Sequence, residues 1–378
     1  MEMRKKIIFT MMALTMAIAM VAGGTMAWFT DEADAGETTF TAGTVILEAD
    51  EAVLGETVTW DNWNPGDEGT VEWGFINEGT KAINLRAKLD KGWIGIQSLE
   101  DLETFNSVLR AMARIGVEGS GDWELGIIQE GSHSPAQGTQ NHFTWPKATA
   151  VPFKLTFDGE VVTYIVGSGD DAITMTYAVD EEDFNDIVIT TRSTSEAYSV
   201  LVNNLMLDGI ELGAENFIEE NGWSYLIIRR ENLGEGFVLT GESTMDWEGN
   251  RPSRSHLTYQ IELGNSTEPL LSPENVDWNV IGNDNWILNL EGFETGYYYY
   301  VVEENEENVL GRIAGTYGDE ADEDERTRTL SFNVYLKGEE TGNEYQGAKY
   351  IFSLNAEAVQ ASNGAAEAMW GLEVSDEE

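Results

Sequence analysis

The sequence predicts a mainly β protein, and three observations carry that prediction. It holds 39 glycines, 12 tryptophans and 13 tyrosines, Val, Ile and Thr alternate with polar residues in short runs, and clusters of Gly, Pro, Asn and Asp punctuate those runs. One segment, Leu99 to Ile115, departs from the alternation and reads as one short helix. The 378 residues are enough for two ordinary domains. No cysteine is present, so neither disulfides nor thiolate metal sites hold the chain together, and its stability rests on buried cores.

The first element is a targeting segment. Arg4, Lys5 and Lys6 precede an apolar stretch of 18 residues from Ile7 to Gly24, and Thr25 and Ala27 occupy the −3 and −1 positions before Trp28. A basic start, an apolar run and a small-residue pair form the pattern a signal peptidase reads, which marks residues 1–27 as a signal peptide. The apolar run is near the lower limit for a spanning helix, and Thr10, Thr15 and the pair Gly23-Gly24 weaken it for that purpose. The expected mature protein is therefore secreted, to the extracellular matrix or cell surface, and meets a membrane only before cleavage.

The sequence carries 68 acidic and 21 basic residues, a net charge of −47. The segment before Trp28 contains Glu2, Arg4, Lys5 and Lys6, a net of +2, so cleavage takes the chain to −49. A field of that sign repels nucleic acid and anionic lipid, which excludes a nucleic-acid role.

Beyond the signal, Thr38 to Leu47 and Val58 to Trp60 read as short strands, and Asn64-Pro65-Gly66-Asp67 as a turn in which proline presets one dihedral and glycine supplies a positive φ. Val71, Trp73 and Phe75 share one face of Thr70 to Asn77; Ile83, Leu85, Ala87 and Leu89 share one face of Ala82 to Leu89. With Asn77-Glu78-Gly79-Thr80 between them, they read as a hairpin. The helix expectation rests on Ser98 as cap with Asp101 after it, on Leu99, Leu102, Phe105, Leu109 and Met112 at helical spacing, and on Gly116 as the stop.

Strands then resume: Trp123 to Ile128, Pro152 to Phe157, Val161 to Val166, Ala172 to Ala178, Asp186 to Thr191, Ser199 to Leu207, Ser224 to Arg229, Gly236 to Trp247 and Leu257 to Leu263. That many strands at this spacing suggest a sandwich of their own. Asn265 to Pro273 reads as a boundary, after which Trp286 to Leu290, Tyr297 to Val302, Thr329 to Leu336 and Ala348 to Ala358 form a third section. The charge block Gly318 to Glu325 reads as a loop, and residues 366–378 as an acidic, weakly ordered tail in which Met369 and Trp370 are out of place.

Gly23-Gly24-Thr25-Met26-Ala27-Trp28-Phe29-Thr30-Asp31 followed by Phe40-Thr41-Ala42-Gly43-Thr44-Val45-Ile46-Leu47 resembles the TasA/camelysin family of Gram-positive bacteria. The resemblance continues through Asn64 to Asp67 and Phe75 to Ile83, and near the end through Glu344 to Gly347 and Phe352 to Gln360. It implies a jelly-roll β-sandwich, exported and assembled with other copies of itself into biofilm-matrix fibres, in company with other matrix proteins or polysaccharide. It also implies donor-strand exchange, with Trp28, Phe29 and Phe40 carried on the donor strand; an unpaired sheet edge accepts a strand in trans on physical grounds as well. The middle of the chain, through Gly121 to Ile127, Val151 to Gly159 and Phe184 to Ser193, is similar to choice-of-anchor domains of bacterial surface proteins. Together these resemblances imply a jelly roll over 28–96 and 270–365, with a helix and second β-sandwich inserted at 97–269.

Part of the same family is described as metallopeptidase, which requires ligands. Zincins place two imidazoles on one helix face, as in H-E-x-x-H. This chain has three histidines, His133 and His142 in one loop and His256 in another, so no metal site and no catalytic residue is expected. No G-x-S-x-G elbow is present either, and Gly167-Ser168-Gly169-Asp170-Asp171 precedes a strand, which makes it a hairpin turn rather than a phosphate loop. No cofactor is expected. The block Asp319 to Glu325 offers calcium oxygen ligands without EF-hand spacing, enough for weak binding only. Tyr297 to Tyr300 could serve as a sugar platform, but alternation in a strand favours burial of one face in a core. The reading is a non-catalytic structural subunit; the alternatives are a camelysin-type metallopeptidase and a carbohydrate-binding or adhesive module.

Mass spectrometry of the secreted protein is expected to give Trp28 as the mature N-terminus. Retention of Ile7 to Gly24 would overturn the cleavage assignment and favour an anchored form.

Overall fold

The computed structural model describes residues 30–33, 47–49, 64–99, 105–117, 122–129, 131–135, 138–179, 184–267, 270–282, 285–316, 322–345 and 347–371. Strands dominate, arranged in antiparallel sheets. The first four are β1 (Thr30–Ala33), β2 (Leu47–Ala49), β3 (Glu68–Asn77) and β4 (Ile83–Leu99). Next come β5 (Phe105–Arg114), β6 (Leu125–Gln129), β7 (Gln140–Asn141), β8 (Val151–Phe157), β9 (Val161–Val166), β10 (Ile173–Ala178) and β11 (Asp186–Ser193). They are followed by β12 (Tyr198–Leu207), β13 (Ile210–Glu211), β14 (Asn216–Ile218), β15 (Gly222–Arg229), β16 (Phe237–Trp247) and β17 (Leu257–Ser266). The last section holds β18 (Val276–Ile281), β19 (Trp286–Leu288), β20 (Tyr297–Glu304), β21 (Glu307–Leu310), β22 (Thr327–Leu336) and β23 (Lys349–Gln360), with two short helices, α1 (Glu323–Arg326) and α2 (Ala365–Trp370).

One 12-stranded sheet runs β1-β23-β4-β15-β11-β17-β5-β6-β7, with β20 also beside β4 and β19 and β21 beside β20. Its β1-β23-β4-β20 end faces a four-stranded sheet, β18-β22-β3-β2. Between them lies an aromatic core in which Phe332 meets Trp73, Tyr298 and Phe352 edge-on at centroid distances of 5.8, 5.2 and 5.3 Å. The other end faces a seven-stranded sheet, β10-β9-β8-β16-β12-β13 with β14 on β12. Their core includes Ile187, Ile189, Tyr259, Ile261 and Leu263 from one wall and Phe153, Leu155, Val200 and Leu239 from the other. A buried tyrosine pair crosses it: the Tyr164 hydroxyl donates to that of Tyr259 at 2.8 Å, and burial pushes Tyr259 up to about 12.

The expected helix over Leu99 to Ile115 is not formed. Leu99 ends β4, and Phe105–Arg114 is a strand between β17 and β6. Leu109, Ala111 and Ala113 are buried along one face, a period of two that coexists in the sequence with the helical stripe. Sheet pairing on both sides decided between the two periods.

The expected hairpin of β3 with β4 is also absent, because the two strands lie in opposite sheets. Both bury their predicted faces, Val71, Trp73 and Phe75 on one and Ile83, Leu85 and Ala87 on the other, but they do so across the core from each other. Asn77 fixes the corner: its Nδ2 donates to the carbonyls of Lys81 and Ala314, both at 2.8 Å, and its Oδ1 accepts from the Gly79 N–H at 3.0 Å. Asn64 to Asp67 does turn as read, with Gly66 at φ +99° and the Asp67 N–H on the Asn64 carbonyl at 2.9 Å. Gly169–Asp171 lies in the connection between the paired strands β9 and β10, which is the hairpin expected there.

The sequence's boundary near 96–97 falls within β4, and its boundary near 270 lies just before Pro273–Asn275, a single 3₁₀ turn that leads into β18. The tail expectation also needs correcting. Gly364, at φ +66°, starts α2, and Ala365, Ala366 and Trp370 are buried against Tyr299, Val301 and Val359. Within the expected tail, residues 366–370 are thus anchored by Trp370 rather than solvated, and residues 372–378 lie outside those described.

The pairing of β17 with β5 shifts register between Leu263 and Gly264, leaving Val108 as the extra residue of a bulge. A Cβ on Gly264 would stand 2.0 Å from the Asn106 carbonyl oxygen, whereas one on Gly92 would meet nothing within 4 Å. Gly264→Ala is therefore expected to lower unfolding free energy by about 1–3 kcal/mol in urea titrations, through overpacking, while Gly92→Ala stays within about 0.5 kcal/mol of wild type. Equal stabilities would refute the bulge geometry.

Candidate functional site at the terminal sheet edge

The 12-stranded sheet ends on β1, the strand that follows the expected cleavage point. It pairs antiparallel with the last part of β23: Thr30 opposite Val359, Asp31 opposite Ala358, Glu32 opposite Glu357 and Ala33 opposite Ala356. On its other side β23 is bonded to β4 along its whole length, from Lys349 opposite Ile94 to Gln360 opposite Ile83. Among the described residues, β1 thus covers four positions of a 12-residue strand. A partly covered edge of this kind is where further strand pairing can occur. Thr25, Ala27, Trp28, Phe29 and Phe40, the expected cleavage and donor-strand residues, lie outside the described residues.

Directly behind this edge sits a buried arginine that the sequence reading did not single out. Arg86, on β4, stands opposite Glu357 of β23 on one side and Tyr299 of β20 on the other. Its side chain is 6% exposed. Nη1 donates to Glu294 Oε2 at 2.8 Å, and Nε and Nη2 donate to Glu357 Oε2 at 2.8 and 2.7 Å. The guanidinium lies over Tyr297 at 3.8 Å and faces Trp370 at 4.9 Å, while the Tyr299 hydroxyl donates to the Glu294 carbonyl at 2.8 Å. Burial works against the Arg86 charge, but hydrogen bonds with Tyr299, Glu357 and Glu294 outweigh it and hold the pKa above its ordinary value. Burial likewise pushes the Tyr297 and Tyr299 hydroxyls up. One cation therefore fastens β4, β20, β23 and α2 together behind the strand that receives β1.

Glu32, Glu357 and Arg86 occupy one row across β1, β23 and β4. Arg86 compensates Glu357 and is shared with Glu294.

The remaining candidates do not converge. His133, His142 and His256 are all exposed; His142 Nδ1 lies 3.2 Å from Glu124 Oε2, and His256 Nδ1 lies 2.6 Å from Thr194 Oγ1. Among the described residues no group of three or more His, Cys, Asp or Glu side chains is placed to hold a metal ion. The described part of the acidic block forms α1, with Asp322 before it. The tyrosine run is buried on both faces, not one: Tyr298 and Tyr300 enter the core shared with β22, and Tyr299 packs with Trp370 on the other side. That arrangement leaves no sugar platform there. Arg86 gave little signal in the sequence, because one arginine in an alternating strand marks an outward position and its cover, Trp370, lies far along the chain.

A family model described as camelysin metallo-endopeptidase matches residues 2–91. This N-terminal quarter, which includes β1 to β3 and the start of β4, is thus similar to camelysin. No curated protein matches the chain. Solved structures that it resembles include the T13 particle of infectious bursal disease virus, at 9% identity with 89% of this chain and 84% of that chain covered and a TM-score of 0.14. The Gx strain of the same virus resembles it at 10% identity, with 89% and 88% covered and a TM-score of 0.15. Likenesses this slight carry no argument.

If Arg86 ties the edge together, Arg86→Met is expected to cost about 3 kcal/mol, since it leaves the half-buried Glu357 uncompensated. Urea unfolding checks this. A loss under about 0.5 kcal/mol would mean that the cluster behaves as an exposed ion pair.

Proposed function

We propose that the chain is a secreted, non-catalytic structural subunit that assembles into extracellular matrix fibres by strand exchange through its mature N-terminus. The observation that carries this reading is the position of β1: among the described residues, the strand just after Trp28 is the terminal strand of the large sheet, on an edge only partly covered. The same segment, released from its own β23, would pair with the β23 edge of another copy, and backbone hydrogen bonds would supply affinity and register. The similarity of residues 2–91 to camelysin supports an exported protein of that kind.

The charge of the mature chain opposes association of copies, so assembly becomes easier as salt, or calcium bound weakly by acidic segments, screens it. Partners on this reading are other copies, other matrix proteins or polysaccharide.

The family's description as a metallo-endopeptidase keeps a second reading open to test. Zinc analysis and a casein-cleavage assay on the purified protein are expected to show neither bound zinc nor cleavage; both together would establish the enzyme.

For the structural reading, the decisive variant lacks Trp28 to Glu37. It is expected to remain folded and monomeric by light scattering and to form no fibres in micrographs, whereas the full mature chain forms them increasingly with salt or calcium. Fibres from the truncated protein, or a full-length chain that stays monomeric under all these conditions, would overturn the mechanism.

A further inference from the structure

Of the aromatic side chains in the described part of the protein, Phe217 and Trp223 are the most open to solvent, at 46% and 47% exposure. They are not scattered. Both line one groove at the β14–β15 end of the second sandwich, with Ile218 as its floor and Glu196, Glu219, Glu220 and Ser224 around it. Glu196, Glu219 and Glu220 are exposed and form no ion pair among the described residues. The Arg192 guanidinium lies 4.9 Å from the Trp223 ring and is itself tied to the Ser255 carbonyl at 3.3 Å, so it braces the indole in place.

This combination selects a ligand by chemistry. Exposed aromatic faces accept flat C–H surfaces and cations. Three carboxylates accept hydrogen bonds and donate none, so the ligand must be rich in donors, and their charge within a chain of −47 rejects anions. A peptide would bind best along an open ladder edge; β14 is paired on one side only, with β12, so a basic peptide is the competing occupant that the test must separate from a sugar. A pyranose bearing hydroxyls and a protonated amine fits each requirement at once.

We propose that this groove binds an amine-bearing oligosaccharide of the glucosamine type, its sugar face on Trp223 and Phe217 and its ammonium among Glu196, Glu219 and Glu220. The site is on the second sandwich and does not depend on strand exchange, so its failure and that of the fibre reading are separately visible.

The test is calorimetric titration of the full mature protein with a β-1,4-glucosamine hexamer, at a mildly acid pH where amines and carboxylates are both charged. Binding is expected, weaker by about tenfold in Trp223→Ala and by several-fold in Glu219→Gln/Glu220→Gln, with thermal midpoints unchanged because these side chains are exposed. If Trp223→Ala fails to fold, Phe217→Ala and the double glutamine variant carry the test. No binding, unaltered binding in the variants, or equal affinity for the N-acetylated hexamer would overturn the proposal. A lysine hexapeptide that binds as tightly, with the same dependence on Trp223, would overturn it in favour of a basic peptide.

Discussion

The constraint on which the rest of the structure depends is the continuity of β4. This 17-residue strand pairs with β23 through Ile83 to Ile94, with β20 through Arg86 to Lys88, and with β15 through Gly95 to Leu99. It places Ile83, Leu85 and Ala87 in one core and Ile94 in the other. Because side chains alternate strictly in a strand, a slip of one residue would turn both sets outward together. The junction is pinned where the chain returns: the Trp93 indole N–H donates to Asn275 Oδ1 at 2.9 Å, and its ring meets those of Tyr345 and Tyr350 at 5.0 and 4.9 Å.

Arg86 extends that logic from backbone to side chains. A guanidinium buried between two strands is costly unless every donor is engaged, and here two carboxylates and two aromatic faces surround it. The price in sequence is that the C-terminal helix must close the site, so Trp370 is structural although it stands near the chain's end. The edge that receives β1 is therefore held from behind by this cluster.

Much of the fold was legible because burial in a sandwich has a period of two. The strands through Pro152 to Phe157, Val161 to Val166 and Leu257 to Leu263 lie where alternation put them, at most a residue or two from the bounds at all but one end; β17 alone runs three residues further, to Ser266. What alternation does not encode is the partner of each strand. The corner at Asn77 reads like a hairpin turn, because a strand that faces its successor across a core and one that lies beside it bury the same residues. Leu99 to Ile115 failed for a different reason: Leu109 belongs both to the helical stripe and to the alternating face it shares with Ala111 and Ala113, and only the neighbours β6 and β17 decide between the two periods. Trp278 lies on β18, a strand the reading missed because it falls just beyond a stretch rich in turn residues. The candidate site was legible only as an N-terminal segment; Arg86, Glu294 and Glu357 meet through contacts more than 200 residues apart in sequence.

The sheet order also explains how a long middle section coexists with a terminal edge. β15 joins β4 on the side opposite β23, so the second sandwich extends the sheet away from β1. Had the added strands joined at β23, they would have consumed the backbone groups that β1 now uses. The second sandwich instead continues the ladder in the other direction, buries its own core, and carries the Phe217 and Trp223 groove on β14 and β15. Growth of the chain on one side of β4 leaves the pairing groups on the other side unchanged, because a β ladder transmits register along hydrogen bonds without requiring contact between its two edges.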